Sequence, residues 1–140
     1  MEVLLTGATG FIGGALIDSL IEKKFGTVAA VRLYSSSLPD SVRHVVVGNI
    51  LPNTDWEPSL ENIDMVVHTA ARVHVMNDSA NDPLTEFRKI NVEGTLNFAR
   101  QAAAAGVKRF IFISSIKVNG ESTVPGKPFA ADDQPGPVDP

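Results

Sequence analysis

The chain has 140 residues, 44% hydrophobic and 20% charged, the proportions of one ordinary globular domain. It contains no cysteine, which excludes disulfides, thiolate metal sites and a cysteine nucleophile. A formal charge of −4 makes a poor general binder of nucleic acid, and no apolar run approaches the roughly 20 residues of a membrane span. Met1-Glu2 leads directly into apolar residues without a basic leader, so a cytoplasmic location is expected.

Val3 to Leu5 is a short apolar run closed by Thr6-Gly7, which predicts a buried strand. From Phe11 to Lys24, Phe11, Ile12, Leu16, Ile17, Leu20 and Ile21 recur at three- and four-residue spacing opposite Asp18, Glu22 and Lys23, which predicts a helix, with Gly26 as its stop. Thr27–Leu33, Arg43–Val47 and Asp64–His68 read as three further strands, β-branched and nearly continuously apolar, as in a sheet covered on both faces. A long helix follows from Asp82 as N-cap and Pro83 at the first position to Ala105, stopped by Gly106. Arg109 to Ser114 is the fifth strand, also expected to be buried. Alternating strands and helices imply a doubly wound parallel α/β sheet of Rossmann type, ending after its fifth strand, with ligands at the strands' carboxyl ends. Residues 1–119 form this domain, and Gly120 to Pro140, with five of the nine prolines, form a loop or tail.

Gly7, Gly10 and Gly13 stand at G-x-x-G-x-x-G spacing between the first strand and the first helix. Glycine there lets the backbone turn tightly and approach a pyrophosphate, and the helix N-terminus presents free N–H groups to it. A tight turn without a ligand is the alternative; Gly14 is expected to serve packing.

Thr6-Gly7-Ala8-Thr9-Gly10-Phe11-Ile12-Gly13 resembles the fingerprint of the extended short-chain dehydrogenases/reductases, the family of NAD(P)-dependent sugar-nucleotide epimerases, dehydratases and 4-ketoreductases. Gly48-Asn49-Ile50, His68-Thr69-Ala70-Ala71, Asn91-Val92-Glu93-Gly94-Thr95 and Ser114-Ser115 resemble that family's downstream motifs. The resemblance implies that Gly7, Gly10, Phe11, Ile12 and Gly13 hold the pyrophosphate. It places Asn49 and Ile50 at the adenine, although Asn49 replaces the usual acid. It puts Thr69, Ala70 and Ala71 along the path to the nicotinamide, Asn91 near the cofactor or bracing helix to sheet, and Ser114 in the cofactor wall. Packing at a strand end is the alternative for Thr69 to Ala71, and a solvated turn for Asn49.

Arg32, at the end of the second strand, stands where an acid would accept the ribose hydroxyls of NAD. A cation there, with Ser35, Ser36 and Ser37 nearby, favours the 2′-phosphate of NADP over NAD; an exposed surface arginine is the alternative. Ser115 matches the family's catalytic hydroxyl, with a strand end closed by local backbone bonds as the alternative. Ile116-Lys117 stand where dehydratases of the family carry Asp-Glu, which removes support for a dehydratase. Asn119 replaces the tyrosine often found before Gly120.

The family's Tyr-x-x-x-Lys is not in this sequence: the single tyrosine, Tyr34, has no lysine four residues on. The chain is therefore expected to be the amino-terminal part of an enzyme, binding cofactor without turnover by itself. The resemblance implies a nucleotide-sugar substrate and hydride transfer at C4, as in a UDP-hexose 4-epimerase. An NADPH-dependent UDP-4-keto-hexosamine reductase and a non-catalytic dinucleotide-sensing module remain as alternatives. Self-association through the 82–105 helix is a further implication. No metal site is expected, since His44, His68 and His74 fall on different elements, and His68 reads as a satisfied, partly buried imidazole.

Overall fold

The computed structural model describes residues 1–73 and 82–138. Five parallel strands lie in the order β3-β2-β1-β4-β5: β1 Glu2–Thr6, β2 Gly26–Val31, β3 Arg43–Val46, β4 Met65–His68 and β5 Arg109–Phe112. Around them run α1 Phe11–Glu22, the short α2 Glu57–Leu60, α3 Pro83–Arg88 and α4 Thr95–Ala104. The expected doubly wound sheet is the observed one. The strand order reverses between β1 and β4, where crevices for ligands form in such sheets.

Side-chain alternation along β1 divides the core. Val3 and Leu5 join Ala29, Val31 and Val67 beneath Ile17 of α1, whereas Leu4 joins Val28, Ala30 and Val66 on the opposite face. That second layer is closed by Trp56, Leu60, Phe98 and Ala102. Trp56 is fully buried and stacks on Phe98 with ring centroids 3.8 Å apart. The sheet is thus covered on both faces at its centre but not at its edges. On β5, an outermost strand among the described residues, Ile111 and Phe112 are exposed where the composition predicts burial. It also ends at Phe112 rather than Ser114, although the Ile113 N–H still donates to the His68 carbonyl at 3.0 Å.

Other boundaries differ for local reasons. β2 stops at Val31, the last residue paired with β3, so Arg32 and Leu33 leave the sheet. α1 ends at Glu22, and its stop is Lys24, not Gly26: Lys24 takes φ +59°, and Phe25 N–H closes back on the Leu20 carbonyl at 3.0 Å. Gly26 instead opens β2, where the Glu2 side chain fills the place of a Cβ. The long helix has its predicted N-cap, Asp82 accepting from Thr85 N–H, and its predicted stop, Gly106 at φ +80°. Between α3 and α4, however, Lys89–Gly94 widen into a π turn. The four-residue α2 and a 3₁₀ turn at Ile116–Val118 are too short to leave a period in the sequence. Residues 120–138 fold back on that turn, with Gly136 N–H donating to the Val118 carbonyl at 2.9 Å.

His68, 1% exposed at the end of β4, lies between two hydroxyls. Its Nδ1 is 2.6 Å from Thr6 Oγ1 and its Nε2 is 3.0 Å from Thr95 Oγ1. Thr6 Oγ1 also accepts the Ala70 N–H at 3.3 Å, and its one proton and second lone pair suit either tautomer of the imidazole.

Two measurements check this packing. Burial lowers His68 from 6.5 to about 4, so the folded chain refuses a proton that the unfolded chain accepts. Stability should be full above pH 6.5 and decline toward pH 4, by about 3 kcal/mol from this group; denaturant titrations across that window should give a shallower decline for His68→Gln. A Cβ on Gly13 would press on the Gly7 carbonyl, whereas one on Gly14 would meet only Ala8 O at 3.9 Å. Gly13→Ala should therefore cost about 1–3 kcal/mol of unfolding free energy, while Gly14→Ala is neutral or stabilising.

Candidate functional site

The crevice begins where β1 runs out. Gly7 adopts φ +73°, and a Cβ on it would strike Thr69 Oγ1 and lie 2.9 Å from Ala70 N, so only glycine leaves the strand here. Gly10 N–H returns to the Gly7 carbonyl at 2.9 Å and closes the turn. Gly13 allows α1 to descend directly onto that carbonyl. The three glycines have separate duties: Gly7 makes the turn and Gly13 seats the helix, while Gly10 keeps the surface bare. Gly14, expected to be a packing residue, makes no close approach.

α1 starts at Phe11 with Gly10 as N-cap, no capping side chain and no acid in its first turn. Its leading N–H groups and the positive end of its dipole face outward beside Gly10, Phe11 and Ile12, all exposed, with Phe11 at 96%. The bare glycine and uncapped amides fit an anionic group such as a pyrophosphate.

On one side of the turn, Arg32 emerges from β2 exposed, and no hydrogen bond or ion pair engages its guanidinium among the described residues. Ser35 and Ser37 pair with each other, Oγ to Oγ at 2.7 Å. A cleft of about 320 Å³ lies between Ala8 and Thr9 of the turn and Ser37, Leu38 and Pro39, with Asp18 of α1 also on its wall. Beyond β3, Gly48 turns the chain with φ +72° and presents Asn49 to solvent. The Asn49 carbonyl accepts the Thr54 hydroxyl at 2.6 Å, and Ile50 packs inward on the second core layer. A cleft of about 370 Å³ runs under Asn49 along the outer edge of β3.

On the other side stands the end of β4. The Thr69 hydroxyl donates to the Thr6 carbonyl at 2.7 Å, and Thr69 and Ala70 are half-buried against the turn, with Ala71 exposed. Asn91, in the π turn, turns its amide to Arg72: Oδ1 accepts Arg72 N–H at 2.7 Å and Nδ2 donates to the Arg72 carbonyl at 3.0 Å. It braces the helix to the segment that follows β4. His74 lies outside the described residues.

Ser114 and Ser115 sit exposed just past β5, at the same carboxyl edge of the sheet. Ser115 Oγ accepts the Lys117 N–H at 3.2 Å and so caps the 3₁₀ turn, which leaves its proton available to donate. Among the described residues no three His, Asp or Glu side chains converge on a metal position. None of their helices is long and apolar enough to cross a membrane.

Four further residues shape the crevice: Gly94 and Thr95, which stand in the Asn91–Thr95 motif without an assigned role, and Asn97 and Gln101, which lie outside the motifs. Gly94 abuts Ile50, where a Cβ would lie 2.7 Å from the Ile50 carbonyl oxygen. Asn97 and Gln101, one turn apart on α4, hold the loop after Asn49: Asn97 donates to the Thr54 carbonyl at 2.8 Å, and Gln101 accepts the Trp56 N–H at 2.8 Å. Thr95 carries His68. The i, i+4 amides of Asn97 and Gln101 were the available signal, since polar groups so spaced share one helix face.

Comparison with known proteins bears on the family and the fold. Residues 3–140 match the model of the NAD dependent epimerase/dehydratase family. The chain is 48% identical to UDP-glucose 4-epimerase of Vibrio cholerae over 99% of its own length and 42% of that protein's. It is 32% identical to 3-beta-hydroxysteroid dehydrogenase of Mycolicibacterium neoaurum, over 89% and 37%. It thus spans about two fifths of the length of these relatives. Among solved structures it resembles MoeE5 in complex with UDP-glucose and NAD, with a TM-score of 0.80 and 29% identity over 99% of this chain and 43% of that one. UDP-glucose 4-epimerase of Thermotoga maritima with UDP-glucose superposes with a TM-score of 0.76 and 30% identity, over 99% and 45%. The chain belongs to the NAD dependent epimerase/dehydratase family.

Proposed function

We propose that this chain is the cofactor-binding part of a sugar-nucleotide oxidoreductase that interconverts UDP-hexoses at C4. The observation that carries the choice is the 48% identity to a UDP-glucose 4-epimerase across nearly the whole chain, well above the 32% to a steroid dehydrogenase. In this reading a bound nicotinamide would supply reversible hydride exchange at C4 of the sugar, coupled to loss and regain of the C4 hydroxyl proton at a base outside the residues named here.

The chain's own residues bind and orient. The amides beside Gly10, Phe11 and Ile12 hold the pyrophosphate, with Gly7 and Gly13 fixing the turn. Asn49 and Ile50 hold the adenine; the Asn49 amide both donates and accepts, where an acid only accepts. Thr69, Ala70 and Ala71 wall the nicotinamide side together with Ser114, and Asn91 fixes that wall through Arg72. Ser115 donates its hydroxyl proton to the sugar oxygen at C4, steadying the charge that oxygen gains and loses as hydride moves. The 82–105 helix leaves Leu84, Val92 and Leu96 exposed, which supports its use as a homodimer face.

The cofactor is proposed to be NADP rather than NAD. Support comes from Arg32, the exposed cation that directly follows β2. A charge-assisted contact to a 2′-phosphate is worth about 2 kcal/mol, or about 30-fold in affinity. Titrations of both dinucleotides should find Arg32→Asp losing about 30-fold toward NADP and little toward NAD; equal losses would overturn the preference. NAD-bound relatives such as MoeE5 make NAD the competing outcome.

The activity is tested by incubating the protein, purified from its source, with UDP-glucose and following UDP-galactose by chromatography. Interconversion is expected, with Ser115→Ala slowing kcat by roughly 100-fold or more while dinucleotide affinity stays put. Consumption of a UDP-4-keto-hexosamine with NADPH, and no interconversion, would move the assignment to the reductase. Dinucleotide binding with neither reaction would move it to a sensing module.

A further inference from the structure

We propose that the buried Thr6 and His68 and the half-buried Thr95 form a hydrogen-bond line that positions the Thr69–Ala70 wall of the crevice, so that α4 governs dinucleotide affinity without touching the dinucleotide. The inference rests on the proposed use of the crevice for a dinucleotide.

Four polar residues are buried among the described ones: Thr6, Thr27, Ser59 and His68. Thr27 and Ser59 bond to carbonyls two and three residues away, to Phe25 O at 3.3 Å and Trp56 O at 2.8 Å. Thr6 and His68 instead pair across 62 residues of sequence, with Oγ1 and Nδ1 2.6 Å apart. An imidazole and a hydroxyl are costly choices for a core that apolar side chains would fill, unless every polar atom is satisfied and something is gained. Here both ring nitrogens and the Thr6 hydroxyl are satisfied, and the set lies at the crevice end of β1 and β4.

What it holds is the wall. Both oxygens of Thr6 are engaged by the residues that follow β4: its carbonyl accepts the Thr69 hydroxyl at 2.7 Å, and its hydroxyl accepts the Ala70 N–H at 3.3 Å. That hydroxyl is held by its hydrogen bond to His68 Nδ1, and the ring is fixed in turn by Thr95 at Nε2. Thr95 follows Gly94, the seat of Ile50 on the adenine side. One short stretch of helix therefore sets both walls.

The test measures NAD and NADP affinity by isothermal titration well below each variant's Tm, so that loss of folded protein does not enter. Thr6→Val removes the hydroxyl at nearly constant volume, and Thr95→Val breaks the line at its far end, away from the crevice. Each should weaken the preferred dinucleotide by about tenfold, the equivalent of one lost buried hydrogen bond. Thr6→Ser and Thr95→Ser, which keep the hydroxyls, should stay near the parent affinity. Thr95→Val carries the test alone where Thr6→Val does not fold. Valine variants with lowered Tm but unchanged affinity would overturn the inference and leave the line a feature of the core. A parent protein that binds neither dinucleotide would instead overturn the functional proposal, and this inference with it.

Discussion

Gly7 and Thr69 cannot both carry a side chain where they meet. The left-handed turn at Gly7 brings the end of β1 so close to the end of β4 that a Cβ there would strike the Thr69 hydroxyl and crowd the Ala70 amide. α1 departs from that turn behind Gly10, with Gly13 seated on the Gly7 carbonyl and the β4 wall alongside. Because the strand order reverses at this junction, the helices of the two halves diverge, and the space between them is open to a ligand.

The second constraint is the long helix on the opposite face. Its π turn carries Asn91, which clamps Arg72, and Gly94, which meets Ile50. Thr95, Asn97 and Gln101 then reach His68 and the loop through Trp56. Extra π-turn residues are common at functional sites because they re-aim side chains that a regular helix would stack differently. In this chain the re-aimed residues hold both walls of the crevice, and the stacked Trp56 and Phe98 rings anchor the helix to the sheet beneath.

Much of this was legible in the sequence, for physical reasons. Buried parallel strands read as unbroken apolar runs, and the glycine spacing between β1 and α1 marked the turn, so the sheet and the head of the crevice were visible at once. β5 has the composition of a central strand, yet Ile111 and Phe112 are exposed among these residues, which span about two fifths of the relatives' length. The stop of α1 fell on Lys24 because its helix end is closed by backbone bonds that leave no preference for a particular residue beyond tolerance of positive φ. Asn91 could not be assigned between cofactor and brace until its amide was seen on Arg72. The π turn and α2 were invisible because neither changes the apolar period over enough residues to register.

The central claim is that the uncapped start of α1, facing the β4 wall across Gly7, is where a dinucleotide pyrophosphate binds. Amide-resolved NMR during titration with NADP, and with NAD, reads that position directly. The account predicts saturable shifts concentrated on the amides of Gly10, Phe11, Ile12 and Ala70. Shifts confined to the outer cleft beside β3, or none at saturating dinucleotide, would contradict it.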